Sequence, residues 1–330
     1  MLSRAQGCLL GLLCGDALGS LVEFKSPHQI RDEWPEGVRD LVDGGTWNTL
    51  AGQPTDDGEM ALTLARQLVA DGSWSAAGAA QAYLRWFRTQ PFDMGNTVQQ
   101  ALRGLTAEPD GDPLDTAQFH GNHESQANGA LMRIAPLGIF GALGDLEKTV
   151  NAALLDAALT HPHHVCRQVN GLYIRILCLA VREAPAPEAL YRIVVESAMR
   201  MDADPAVLRA IEKARTAPPS DFVRQQGWVL IAFQNAIYQL LHAHTLEEGV
   251  IDTVHRGGDT DTNAAICGAL LGALHGVDAI PLRWRHAVLH CRPEAGNPKA
   301  FRPRPEFLWP VDALELAESL LHAGRSVPSA

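Results

Sequence analysis

The sequence predicts an all-α fold, and three observations carry that expectation. Alanine- and leucine-rich runs recur along the whole chain, many with apolar residues three and four apart, the period of one helix face. Strand-type alternation with β-branched residues is scarce. Clusters at Pro35–Gly37, Pro109–Pro113, Pro185–Pro187 and Pro218–Pro219 break the runs, and none is long enough to be a domain linker.

Twelve helices are expected in order. The first, Gly7–Val22, carries glycines at 7, 11, 15 and 19. Glu59–Asp71 follows an acidic knot, and Ser75–Thr89 is alanine-rich. Thr97–Leu105 opens behind Asp93-Met94-Gly95-Asn96, where Asn96 or Thr97 suits an N-cap. Leu146–Leu159, Arg167–Arg182, Pro187–Met201 and Ala206–Lys213 continue the pattern, followed by Gly227–His242 and Leu246–Val254. Ala264–Leu274 carries a second stripe, Gly268, Gly272 and Gly276, and Val311–His322 closes the series.

Mid-helix glycine costs about 0.5–1 kcal/mol relative to alanine. Close helix packing is the simplest reason to keep so many. The two striped helices are expected to cross in the core and bring their flanking acids together; the competing reading packs each against unrelated helices.

The chain has 330 residues, 46% hydrophobic and 20% charged, an ordinary globular composition. Its net charge is −11 and no basic block stands out, which argues against sequence-independent nucleic-acid binding. An anionic ligand would need local backbone N–H groups or a few basic side chains. Six cysteines without a CxxC pair read as buried free thiols in a reducing cytoplasm. Gly7–Gly15 after Arg4 faintly resembles an export signal, but the single basic residue, bulky Leu13 and Asp16 weigh against it. No apolar stretch reaches membrane-span length.

Two knots of oxygen donors carry the chemistry: Thr55-Asp56-Asp57 and Gly257-Gly258-Asp259-Thr260-Asp261-Thr262-Asn263, each just before a helical run. Such donors suit Mg²⁺ or Mn²⁺. Helix capping competes, since Asp56 and Glu59 have the spacing of a capping box. One cap needs one side chain, however, and each knot offers more. If the knots share a site, the chain is a single domain.

Other candidates have two readings each. Glu23, among apolar neighbours, is a general acid or base if buried, or an ordinary helix-terminal glutamate. Asn128-Gly129 is a ligand-cradling loop or a plain turn, and Arg133 pairs with phosphate or with a carboxylate. In His161-Pro162-His163-His164 a hydrogen-bonding histidine fits better than zinc ligation. There is no GxSxG elbow, Walker loop or GxGxxG motif.

The ordered set resembles the ADP-ribosylglycohydrolase family, of dinitrogenase reductase-activating glycohydrolase and ADP-ribosylarginine hydrolase type. The matching segments are Gly15–Gly19 with Glu23, Thr55-Asp56-Asp57, Asp93–Thr97, Asn128–Arg133, Thr160-His161 and Gly257–Thr262. The resemblance implies one domain over 1–330, a compact orthogonal helical bundle with a binuclear Mg²⁺ or Mn²⁺ cleft. By the same resemblance Thr55, Asp56, Asp57, Asp259, Asp261 and Thr262 are metal-ligand positions. Gly95, Asn128, Gly129 and His161 match the ADP-ribose cleft, and Glu23, Asp57 and Asp93 are the unranked candidates for the catalytic carboxylates. Two departures stand out: Gly58 replaces a threonine common in relatives, predicting a looser first turn, and 41–54 offers no feature to map.

The expected activity is metal-dependent hydrolysis at C1 of an ADP-ribosyl group, with protein-linked ADP-ribosyl-arginine first, since Asp93 and Gly-Asp-Thr-Asp-Thr-Asn lean that way. Serine, small-molecule and nucleobase linkages stay open. So do a silent ADP-ribose- or metal-binding protein on the same scaffold and another two-metal hydrolase, such as a phosphoesterase. A cytoplasmic monomer is expected, with no membrane partner.

Overall fold

The computed structural model describes residues 1–325; the last five of the expected 1–330 domain lie outside the described residues. Sixteen α-helices account for its architecture. They are α1 (Leu2–Gly19), α2 (Pro27–Glu33), α3 (Asp56–Asp71), α4 (Ala76–Phe87), α5 (Asn96–Ala107), α6 (Pro113–His120), α7 (Ala135–Phe140) and α8 (Leu146–Ala158). Then come α9 (His164–Glu183), α10 (Pro187–Arg200), α11 (Pro205–Ala214), α12 (Val229–His242), α13 (Leu246–His255), α14 (Thr260–His275), α15 (Leu282–Leu289) and α16 (Ala313–Arg325). Among the described residues there is no strand, only the isolated bridges Gly44–Thr49 and Ala127–Trp228.

All twelve expected runs are helices, with ends moved by a few residues. Four short helices, α2, α6, α7 and α15, were not expected. At six to eight residues each, they span about two turns, too little for a 3.6-residue period to show. For α2 a local signal existed: Ser26 and Gln29 form a capping box and Pro27 opens the helix.

The helices form a single compact all-α domain around α1 and α14. Both central helices are buried almost all round, as expected of a helix without a polar face. The Gly7–Gly15 stretch that resembles an export signal is the buried middle of α1.

The two glycine stripes meet. A β-carbon on Gly7 would fall on the carbonyl oxygen of Gly272, one on Gly11 on that of Gly268, and one on Gly15 on that of Ala264. The pairing runs in opposite directions, so the helices are antiparallel, and the independent-packing alternative is set aside. All six cysteines are buried and free. Among the described residues no helix is long and apolar enough to cross a membrane.

Candidate active site and metal centre

The antiparallel crossing carries the end of α1 to the start of α14. At Gly19 a side chain would strike the Asp261 backbone, and the Thr260 hydroxyl donates to the Gly19 carbonyl oxygen at 2.7 Å. The Gly257-Gly258 pair makes the entry to α14 possible. Both residues have positive φ, 72° and 78°, and both pack against backbone, Gly257 on Lys25 and Gly258 on Phe222.

The start of α3 is fixed from α1. Asp16 accepts from the Thr55 N–H, the Thr55 hydroxyl at 2.8 Å and the Gly58 N–H at 2.9 Å. This cross-helix cap replaces the expected local one. Thr55 occupies the N-cap position of α3 and Asp259 that of α14, and neither side chain makes a capping bond. The Asp56–Glu59 capping box does not form; Glu59 instead pairs with Arg304 at 2.6 Å and accepts from Trp86 Nε1. Gly58 does not loosen the turn as expected. A side chain there would strike Asp16, Pro54 and Leu13.

With capping done by other groups, the knot carboxylates turn toward one another. Oxygens of Asp16, Asp57 and Asp261 lie within 4.8 Å of one another, and so do oxygens of Glu23, Asp93 and Asp261. Asp261 belongs to both groups. Thr55 and Thr262 point their hydroxyls at Asp57 Oδ2, at 3.2 and 3.4 Å. Asp57 Oδ1 and Asp261 Oδ2 are buried with no hydrogen-bond partner. Among the described residues, no basic side chain forms an ion pair with these acids. Buried carboxylates in this state need a cation or protons. The clusters can therefore hold metal, and their all-oxygen donors suit a hard divalent ion.

Proton affinities agree with that geometry. Burial, then repulsion from Asp259, pushes Glu23 up to about 8. Burial, then Asp56 and Glu23, pushes Asp93 up to about 11. Asp57 is raised well above the usual carboxylate range by burial and then Asp56, and Asp261 by burial and then Glu23.

These acids floor a cleft of about 470 Å³. Every expected site residue except Thr55 lines it; Thr55 sits behind the wall, its hydroxyl also bonded to Asp16. The Asn128 amide donates to Asp259 Oδ2 at 2.7 Å. Arg133 is buried, holds the Gly129 carbonyl at 3.1 Å and pairs with Asp156, so it serves the loop rather than the cleft. His161 is fully buried, with Nδ1 bonded to Thr160 and Nε2 unpartnered, and burial lowers its pKa to about 3. His163 caps α9 and His164 pairs with Asp204.

Gly95, not Asn96 or Thr97, is the N-cap residue of α5, and no side chain caps that helix. Its first turn faces the cleft at Gly95, Asn96, Thr97 and Val98.

Sequence reasoning assigned no function to two residues of the site. Asp16 was hidden inside a glycine stripe. Trp47 lies in the unmapped 41–54 segment, yet its Nε1 donates to Glu23 Oε2 at 2.5 Å. A lone tryptophan in a polar loop was the one available signal.

Fold and site together define an all-helical protein with buried carboxylates converging on a cleft beside an uncapped helix start. The chain belongs to the ADP-ribosylglycohydrolase family, whose model matches residues 1–327. It is 31% identical to ADP-ribosyl-[dinitrogen reductase] glycohydrolase of Rhodospirillum rubrum, over 85% of this chain and 88% of that one. It is also 31% identical to ADP-ribosylarginine hydrolase Tri1 of Pseudomonas putida (strain GB-1), over 87% and 74%. With ADP-ribosylhydrolase ARH3 of Homo sapiens identity is 27%, over 87% and 89%. A solved structure described as an ADP-ribosylglycohydrolase-related protein complex superposes with a TM-score of 0.77 at 29% identity, over 98% of both chains. ADP-ribosyl hydrolysis is thus the general reaction of the family and its named members.

Proposed function

We propose that this chain hydrolyses the glycosidic bond at C1 of an ADP-ribosyl group attached to arginine, releasing ADP-ribose, with two divalent cations, Mg²⁺ or Mn²⁺, in the cleft. The observation that carries the reading is the pair of carboxylate triads sharing Asp261. The residues proposed to hold the ions are Thr55, Asp56, Asp57, Asp259, Asp261 and Thr262, of which Asp57 and Asp261 belong to the triads, while Asp16 fixes Thr55 and the Gly58 N–H at the α3 start. Bound there, the ions would supply Lewis-acid polarisation of water and orientation of the ribose diol.

The protein groups have distinct work. Breaking the C1 bond builds positive charge on the ribose, which facing carboxylates stabilise. Glu23, oriented by Trp47, is placed to take the proton of the attacking water. Asp93, whose oxygens lie beside those of Glu23 and Asp261 and whose pKa burial and Asp56 push up, is placed to serve as the acid. Asp57 supports the floor between them. The uncapped first turn of α5 offers backbone N–H groups to the diphosphate, so an acidic protein can hold an anion. Asn128, Gly129 and His161 line the remaining wall.

The working unit is a monomer, since one chain supplies every cleft residue named. The buried free thiols suit a reducing cytoplasm. The test is release of ADP-ribose from an ADP-ribosyl-arginine peptide with Mg²⁺ and with EDTA. Release in Mg²⁺ alone is expected; equal release in EDTA, or none in either, contradicts the reading.

A further inference from the structure

Beside Glu23 the mouth of the cleft is aromatic. Phe24 lines it with half its surface exposed (51%). Its φ is +66°, a left-handed conformation unfavourable for a residue with a β-carbon. The backbone holds it there: the Phe24 N–H donates to Gly258 O at 2.8 Å. A glycine would adopt this turn without strain. A strained position that spends its side chain on an exposed ring in a cleft suggests that the ring is used.

Trp47 meets Phe24 edge to face, with centroids 6.3 Å apart and planes at 76°, and Phe92 lies 6.0 Å beyond it. The far ring already carries the chain's own guanidinium groups, Arg302 at 5.8 Å and Arg304 at 5.9 Å from the Phe92 centroid. The cleft side is bordered by the carboxyls of Glu23 and Asp93. Aromatic faces bordered by acids favour a planar cation over a neutral or anionic group.

We propose that Phe24 and Trp47, backed by Phe92, form a shelf that holds the guanidinium of the modified arginine as it leaves, so that this shelf sets the preference for guanidine-linked over hydroxyl-linked ADP-ribose. The inference rests on the arginine reading above. The sugar diphosphate is received elsewhere, at the α5 start, so the shelf acts on the leaving side chain alone.

The experiment compares wild type, Phe24→Gly and Phe24→Leu on peptides carrying ADP-ribosyl-arginine and ADP-ribosyl-serine, with free ADP-ribose affinity measured alongside. Phe24→Gly fits the backbone and keeps the fold, which thermal melting checks. The expected result is a loss of about five- to tenfold in kcat/KM for the arginine substrate in both variants. Serine-linked turnover should fall several-fold less than arginine-linked turnover, since Trp47 stays bonded to Glu23, and ADP-ribose affinity should stay unchanged. Equal loss on both linkages, no loss on arginine, or weakened ADP-ribose binding overturns the shelf while leaving the arginine reading standing. A wild type that does not cleave the arginine linkage overturns that reading and the shelf with it.

Discussion

Two sets of buried acids lie in this molecule, and they are treated in opposite ways. Asp156 is sealed from solvent but accepts from Tyr83 at 2.8 Å and Trp74 at 3.2 Å, and faces Arg133 at 3.4 Å. Glu59 is likewise closed off with Arg304 and Trp86. The acids of the cleft have only one another, threonine hydroxyls, backbone or amide N–H groups and Trp47. Glu59 and Asp56 stand three residues apart in the first turn of α3, so local sequence does not separate the two kinds. The partner does. Where the fold needs an acid it provides the cation itself; in the cleft it provides none, and on the proposed reading a metal ion supplies that charge.

Neutralising one acid of each kind breaks the comparison most sharply. Asp261→Asn should lower activity by more than about a hundredfold, as loss of a direct ligand exceeds loss of an outer partner. Its thermal stability in EDTA should be unchanged or higher, because like-charge repulsion is relieved. Asp156→Asn should do the reverse, costing about 3–5 kcal/mol by leaving Arg133 buried without its counter-charge. Denaturant melts and turnover on the same preparations check both. A stable, active Asp156→Asn together with an unfolded Asp261→Asn would reverse the assignment.

A smaller effect concerns pH. The cleft acids bind protons more tightly in the folded chain. Between about pH 4, where an unfolded carboxyl titrates, and about 8, where Glu23 does, the folded state holds more protons. Glu23's stabilising contribution is therefore complete below about pH 4 and is lost as pH rises through that window, while that of Asp93 goes on falling toward about 11. In EDTA the melting temperature should fall across it. Mn²⁺ at a hundred times its pH 8 dissociation constant would restore about 2.7 kcal/mol at pH 8. The same concentration should restore less at pH 5, where protons compete. An equal Mn²⁺ effect at both values would show that these carboxyls do not compete with protons for the ion.

Much of this was legible in the chain because it is periodic or local. The glycine stripes at 7, 11, 15, 19 and 268, 272, 276 announced a close crossing, and the crossing brings the two acidic knots together. The knots themselves were dense enough to exceed what capping needs. Asp16 was not legible as the cap of α3, because its partner is 39 positions away. The spacing of Glu59 from Asp56 satisfies a local rule, while its partner is Arg304, 245 positions on. Trp47 carried no periodic pattern, only its standing as a lone tryptophan in a polar loop. Pairings made across the fold leave no period, and tertiary contacts override local preference.

The central claim is that the cleft acids await a cation from solution, and calorimetric titration of Mn²⁺ into the metal-free protein at pH 7 tests it most directly. Saturable binding is predicted, with protons released as the ion enters, seen as an observed heat that changes with the buffer's ionisation enthalpy. Asp57→Asn and Asp261→Asn should each weaken it strongly without loss of helical circular dichroism. No binding to the folded wild type, or undiminished binding to both variants, would contradict the account.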